Sequence, residues 1–313
     1  MNLFKGFKKV IFCFALIALL SEAIAPQTLF AASPITGANE TGPIPPVNHT
    51  LPSDPSLLAL TPKFPAYFWP VNSASSVSYD ANGIPMFKYN GVLQYNMVTI
   101  EQMALYNYNN WKSTGSYTSQ VFFFKLADWL VANQTSDGLW LYTFNFLNEP
   151  VPWWSAMAQG QGISVLVRAC AATNKPAYKT AATLALGTFT RTIANRGVTA
   201  SDNGTWYEEY LPPSHTHVLN GMIFAMMGLR DYNQEFNDAL SLGLWNTGVT
   251  TLVNNLSKFD TGSWSYYDLG DHLVASIHYH ELHISLLTTM YSITNIHTFN
   301  DYRARFQKYL DAR

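Results

Sequence analysis

Two short stretches hold most of the side chains that could move a proton. One is Trp206-Tyr207-Glu208-Glu209-Tyr210, two carboxylates enclosed by three aromatic rings. The other covers residues 260–283 and carries Tyr266, Tyr267, Asp268, His278, Tyr279, His280 and His283. Only 12% of the chain is charged, so adjacent carboxylates among rings are unusual here. Burial beside apolar rings strips water from a carboxylate and raises its pKa, which makes it a stronger base than free glutamate. Phenols and imidazoles can donate or accept a proton. The residue types therefore suit acid–base chemistry without a thiol or a metal. The same pattern also fits Trp206, Tyr207 and Tyr210 as core rings with both glutamates facing water, because perturbed groups occur in structural networks too.

The elements that must position these residues follow from composition and periodicity. At 313 residues, 48% hydrophobic and 15% aromatic, the chain is long enough for one large domain or two ordinary ones. A net charge of −2 leaves no basic footprint, so nucleic acid is not an expected partner. Lys5, Lys8 and Lys9 precede an apolar run over 10–20 and then Ala23-Ile24-Ala25, the pattern of a signal peptide over 1–25. The run is short for a membrane span, although an uncleaved anchor is compatible with it. A secreted or extracytoplasmic protein is expected. N-terminal sequencing of exported material should begin at or next to Pro26; an intact Met1 on soluble cytoplasmic protein would refute cleavage. Cys170 is the single cysteine after residue 25 and falls in an apolar helical pattern, the setting of a buried, inert thiol. Sequons occur at Asn39, Asn48, Asn133, Asn203 and Asn255.

Along the chain, 26–95 reads as a proline-rich arm followed by a small β segment. Tyr67-Phe68-Trp69 and Ser76-Val77-Ser78-Tyr79 are strand-like, and Asn82-Gly83 is a hairpin turn. From 96 to 313 the period is mainly helical. Helices are expected from a Thr99 cap to about 111, from a Thr118 cap to 133, over 155–172 and over 176–194. More are expected over 217–230, 233–256, 276–292 and 298–311, with strands over 139–146 and 263–269 and a stop at Pro212-Pro213. Met157, Gln161, Ser164 and Arg168 share one helix face. Paired helices with strand-bearing loops give the expected fold class: mainly α, an incomplete (α/α) toroid of helical hairpins around a cleft.

Four segments, in order, resemble the C-terminal catalytic domain of the D-glucuronyl C5-epimerases. They are Trp153-Trp154-Ser155-Ala156-Met157-Ala158-Gln159-Gly160-Gln161, Trp206-Tyr207-Glu208-Glu209-Tyr210 with Val218-Leu219-Asn220-Gly221, Phe259-Asp260-Thr261-Gly262-Ser263 with Tyr267-Asp268-Leu269, and Tyr279-His280 with His283-Ile284. The resemblance runs from roughly 90 to 310. It implies removal of the C5 proton of a uronic acid in a polysaccharide and its return on the other face. Such a reaction needs groups on opposite faces of the ring and donors for enolate-like charge. The resemblance implies that Glu209 is a base and Tyr279 the opposing acid. It further implies that Tyr210 and Tyr267 contact the sugar or assist proton transfer, that Asn220 binds substrate, and that Trp154, Ser155, Gln159 and Gln161 belong to a groove-lining segment. His280 and His283 are candidates for substrate contact or core histidines satisfied by neighbours. Glu208 is expected to be a solvated or hydrogen-bonding neighbour of the base.

One position departs from the family pattern: Gly270, followed by Asp271, stands where the animal enzymes have an arginine. An unsulfated uronic-acid polymer is the expected partner, since the cation that would hold a sulfated chain is missing. No redox cofactor or catalytic metal is expected, because the sequence has no cysteine cluster and no His-Glu-x-x-His motif. A structural calcium ion and a homodimer are both compatible with the sequence. Competing functions are a uronic-acid lyase with the same first step and a carbohydrate-binding protein without turnover. An inverting glycosidase lacks an evident second carboxylate.

Overall fold

The structure is a computed structural model that describes residues 64, 77–147, 149–211 and 216–313. The signal peptide, the proline-rich arm, the Tyr67-Phe68-Trp69 strand and the Pro212-Pro213 stop lie outside the described residues. The chain divides into two compact units, with the boundary between Leu126 and Ala127.

In the first unit, β1 (Val77–Tyr79), β2 (Pro85–Tyr89) and β3 (Val92–Gln94) form an antiparallel sheet in that order. The expected hairpin is present: Val77 pairs with Phe87, and Gly83 takes a φ of 73° at the turn. Helix α1 (Met97–Thr114) packs on β2. It is capped by Asn96, whose side chain accepts from Thr99 N at 2.9 Å, so the helix begins before Thr99 and not at it. Helix α2 (Tyr117–Asn133) likewise starts ahead of Thr118, with Ser116 Oγ accepting from Ser119 N at 3.3 Å.

The second unit is built from three helical hairpins. They are α3 (Ala156–Thr173) with α4 (Pro176–Thr188), α5 (Leu219–Phe236) with α6 (Ala239–Asn255), and α7 (Ile277–Thr294) with α8 (His297–Asp311). α5 packs against both α3 and α7, so α3, α5 and α7 form an inner row and their partners an outer one. This open arc of hairpins is the mainly helical, incomplete toroid expected from the sequence. Burial follows the same division. Every residue of α3 from Ala156 to Cys170 is buried, whereas α8 buries only Phe299 and Phe306. A helix apolar on all sides needs neighbours on all sides.

The α3–α5 contact depends on glycine. A methyl at Gly160 would stand 2.7 Å from the Ala225 carbonyl carbon and closer to its Cα, and one at Gly228 would stand 2.7 Å from Gly160 Cα. Glycine costs a helix about 1 kcal/mol relative to alanine, and close backbone approach is the compensation.

Several expected boundaries shift. The strand expected over 139–146 is reduced to one bridge, Tyr142 with Trp153, and that over 263–269 to bridges of Asp260 with Ser265, Tyr266 with Val274 and Val218 with Asp268. α4 stops at Thr188, ahead of the expected 194, and a 3-10 turn follows at Ile193–Asn195. Around Asn203-Gly204 the chain forms a hairpin of β4 (Thr199–Ser201) and β5 (Thr205–Tyr207). α5 runs to Phe236, where Asn237 (φ 49°) ends it and Asp238 caps α6.

Candidate active site

β5 leads directly into Glu208, Glu209 and Tyr210, and the main chain there is held from three directions. Glu208 N donates to Val198 O at 2.9 Å, Ala156 N donates to Glu208 O at 2.8 Å, and Leu211 N donates to Glu149 Oε2 at 3.0 Å. The first turns of the inner helices meet at the same end of the unit. Ser155 caps α3, Ser276 caps α7, and Leu219 N at the start of α5 donates to Tyr267 O at 3.2 Å. The segment carrying Tyr267 is therefore hydrogen-bonded directly to the N-terminus of α5.

This arrangement gathers the residues from the two stretches. Tyr210 and Tyr267 hydroxyls stand 3.5 Å apart, and the Tyr267 and Tyr279 rings have centroids 4.6 Å apart. Asn220 Nδ2 lies 3.5 Å from Glu209 Oε2. Glu209, Tyr210, Tyr267 and Tyr279 are each no more than 5% exposed. Burial pushes the Tyr267 phenol well up from its ordinary pKa, and the charge on Glu209 and the neighbouring phenols add to the rise. Tyr267 is thus a neutral hydrogen-bond donor at neutral pH. Tyr210 is backed by Phe146 and Trp153, with centroids at 6.1 and 6.2 Å, and Trp153 stacks on Tyr142 at 3.9 Å.

The two adjacent glutamates have opposite fates. Glu208 is buried against His217: its Oε1 is 2.7 Å from Nδ1, and its Oε2 accepts from His217 N at 2.8 Å. His217 also stacks on Trp206 at 4.4 Å. Burial opposes charge on His217, but the hydrogen bond and charge of Glu208, with help from Asp202, hold its pKa above the ordinary value. Glu208 is therefore occupied, and Glu209 faces the phenols.

The remaining candidates are placed differently. Trp154 Nε1 donates to Gly197 O at 2.7 Å, with the Arg196 guanidinium 5.3 Å from its ring. Ser155 serves as the cap of α3. Gln159 holds the 138–140 turn, accepting from Trp140 N at 3.0 Å and donating to Gly138 O at 2.7 Å. Gln161 is wholly buried, and its amide has no partner among the described residues. His280 is saturated by protein. Its Nε2 lies 2.9 Å from Phe306 O, its Nδ1 lies 2.8 Å from Ser265 Oγ, and Trp264 stacks on it at 3.7 Å.

Ser265 also meets His283 Nδ1 at 2.9 Å, and the chain of bonds assigns the tautomers. A carbonyl only accepts, so His280 Nε2 carries the proton and Nδ1 accepts from the Ser265 hydroxyl. Ser265 then accepts from His283 Nδ1–H, which leaves His283 Nε2 as an acceptor. Burial pushes the His283 pKa down to about 3, with the nearby His280 and His278 adding to the fall. A histidine with a depressed folded pKa contributes stability in full above its unfolded pKa of about 6.5, and that contribution is lost as pH falls toward 3. At about 1.36 kcal/mol per unit, His283 should account for a loss of about 2 kcal/mol between pH 6.5 and 5. Urea unfolding at both pH values tests this. A His283→Gln variant that loses stability as steeply as the parent would rule the histidine out as the cause.

Sequence reasoning missed His217, Ser265 and the part played by Gly221. The signals present were weak: a histidine ahead of a helix start, and a serine two residues from Tyr267 on the same side of an extended segment.

A chain of helical hairpins with a buried carboxylate–phenol cluster at its inner helix ends is the class defined by fold and site. The sequence profile described as D-glucuronyl C5-epimerase C-terminus matches residues 134–308, and the chain belongs to that family. It is 36% identical over 191 residues to the D-glucuronyl C5-epimerase of Caenorhabditis elegans, an alignment covering 53% of this chain and 31% of that one. It is 27% identical over 177 residues to an uncharacterized protein of Methanocaldococcus jannaschii, covering 54% of this chain and 57% of the other. The match thus spans less than two thirds of either relative. Among solved structures, the GH76 alpha-mannanase of Bacteroides thetaiotaomicron superposes with a TM-score of 0.49 at 10% identity, over 71% of this chain and 61% of that one.

Proposed function

We propose that the protein is an exported C5-epimerase of uronic-acid residues in a polysaccharide or glycan. The observation that carries this reading is the convergence of Glu209 with the Tyr210, Tyr267 and Tyr279 phenols in one buried cluster, in a chain of the C5-epimerase family. Glu209 takes the C5 proton from one face and Tyr279 supplies a proton to the other. The Tyr210 and Tyr267 hydroxyls donate to and stabilise the enolate-like charge that develops on the uronate carboxyl. Asn220 steadies the Glu209 carboxylate. Protons balance: one leaves C5 for the base and one returns to C5 from the acid, with no bond to the neighbouring sugar broken.

Incubation with candidate uronic-acid polymers in D₂O, read by NMR, tests the proposal. Deuterium at C5 with both epimers present is the expected result. A rise in ultraviolet absorbance from an unsaturated uronate would replace epimerisation by β-elimination. Absence of exchange on every uronic-acid polymer would favour a binding protein.

The substrate is expected to be unsulfated. Gly270 offers no cation, and its backbone lies against Thr216: Gly270 N donates to Thr216 O at 3.1 Å, and an added Cβ would stand 3.1 Å from Thr216 N and closer to Oγ1. kcat/KM on sulfated and unsulfated forms of one polymer should favour the unsulfated form; a strong preference for the sulfated form would overturn this expectation.

A further inference from the structure

Gly221, the third residue of α5, sits in a contact that helix geometry does not explain. It has no positive φ among the glycines that do, so its backbone conformation is open to any residue. In a helix, glycine is less favourable than alanine by about 1 kcal/mol. The three atoms nearest to an added Cβ all belong to Glu209. The methyl would stand 2.7 Å from Glu209 Cβ and 2.9 Å from Cδ, and closer still to Oε2. The carboxylate therefore occupies the volume that any side chain at 221 would fill.

That volume lies at the N-terminus of α5, which has no side-chain cap. Leu219 N–H is taken by Tyr267 O, and the first intrahelical bond from this turn is Met222 N to Val218 O at 3.1 Å. The helix itself offers no acceptor to the N–H groups of Asn220 and Gly221. The partial positive charge of a helix N-terminus favours an anion placed there. The Asn220 amide, 3.5 Å from Oε2, adds a further donor on the same side.

We propose that Gly221 is a positioning residue: its missing side chain lets the Glu209 carboxylate seat against the first turn of α5, where it is aimed at the reacting carbon. This rests on the reading of Glu209 as base. The other titratable groups facing Glu209 are the phenols of Tyr267, Tyr210 and Tyr279, of which burial pushes Tyr267 well up, while Glu208 is turned into His217.

The test is Gly221→Ala, assayed by C5 deuterium exchange across pH beside Glu209→Gln and the double variant. Alanine is the better helix former, so the helix gives no reason for the variant to unfold, and thermal unfolding checks this. Moving the base by about an ångström should lower kcat by about 10²-fold. KM should change little, and the acidic limb of the kcat/KM profile should move to higher pH as the carboxylate leaves the helix end. Added to Glu209→Gln, the alanine should cost nothing more. If Gly221→Ala fails to fold, Glu209→Gly/Gly221→Ala should fold, because the three atoms nearest the new methyl, Glu209 Cβ among them, are then gone; failure of both overturns the proposal. A folded Gly221→Ala enzyme with parental kcat and an unmoved acidic limb, beside an inactive Glu209→Gln, also overturns it. An active Glu209→Gln is a separate result and removes the base assignment itself.

Discussion

Glu209→Gln and Tyr279→Phe are each expected to stay folded, bind polymer and lose turnover by on the order of 10²–10⁴-fold, the usual cost of deleting a positioned acid or base. The glutamine keeps the shape of the side chain and its contact with Asn220 while removing the negative charge. The phenylalanine keeps the ring, whose centroid stands 4.6 Å from that of Tyr267, and deletes only the hydroxyl. Both residues are buried, Glu209 at 4% and Tyr279 at 5% exposure, so water is poorly placed to replace either group. The two variants should also differ in kind. If each group serves one face of the sugar, single-turnover exchange from one epimer should suffer more in one variant and from the other epimer in the other. Near-normal exchange and epimerisation by Glu209→Gln would sink its assignment as base.

Breaking the ion pair between α3 and α5 should have the largest effect on stability. Arg168 Nη1 lies 2.5 Å from Asp231 Oδ2, and both side chains are wholly buried. Ser164 Oγ donates to the same oxygen at 2.8 Å, and Arg168 also donates to Ser164 O at 3.0 Å. Removing one partner leaves an uncompensated charge in the core, so Arg168→Met alone should cost about 3–5 kcal/mol. The triple change Ser164→Ala/Arg168→Met/Asp231→Leu removes these three polar partners together and should recover much of that loss. Arg168 is about 20 Å along α3 from Ser155 at 1.5 Å per residue, so the folded fraction should keep its turnover. Urea unfolding and the exchange assay read the two outcomes. Equal stability of the parent and Arg168→Met would show that the pair contributes nothing.

Much of this site was legible in the chain because its chemistry is local. Two glutamates among three rings mark a candidate desolvated carboxylate before any fold is known, and Glu208 was expected to be a solvated or hydrogen-bonding neighbour of the base. The face shared by Gln161, Ser164 and Arg168 also followed from the 3.6-residue period, and two of those three residues meet Asp231. Helix existence was legible for the same reason, although the ends were not. Asn96 replaces Thr99 as a cap because either residue can offer a side-chain oxygen, and only the packed backbone selects one. The strands expected over 139–146 and 263–269 shrank to bridges because β-rich composition needs a partner edge, and these segments have too little of one.

The sequence by itself determined the helical period, the segments that carry the titratable groups and the family they belong to, all properties of neighbours along the chain. Tertiary structure decided which groups meet. It put the Tyr267 segment onto the first turn of α5, paired Glu208 with His217, and joined His280 to His283 through Ser265. It also turned Gly221 from a poor helix residue into the space that Glu209 occupies. Side-chain contacts between distant segments depend on how whole helices pack. That packing is set by summed burial and close backbone approach, which no short window of sequence contains.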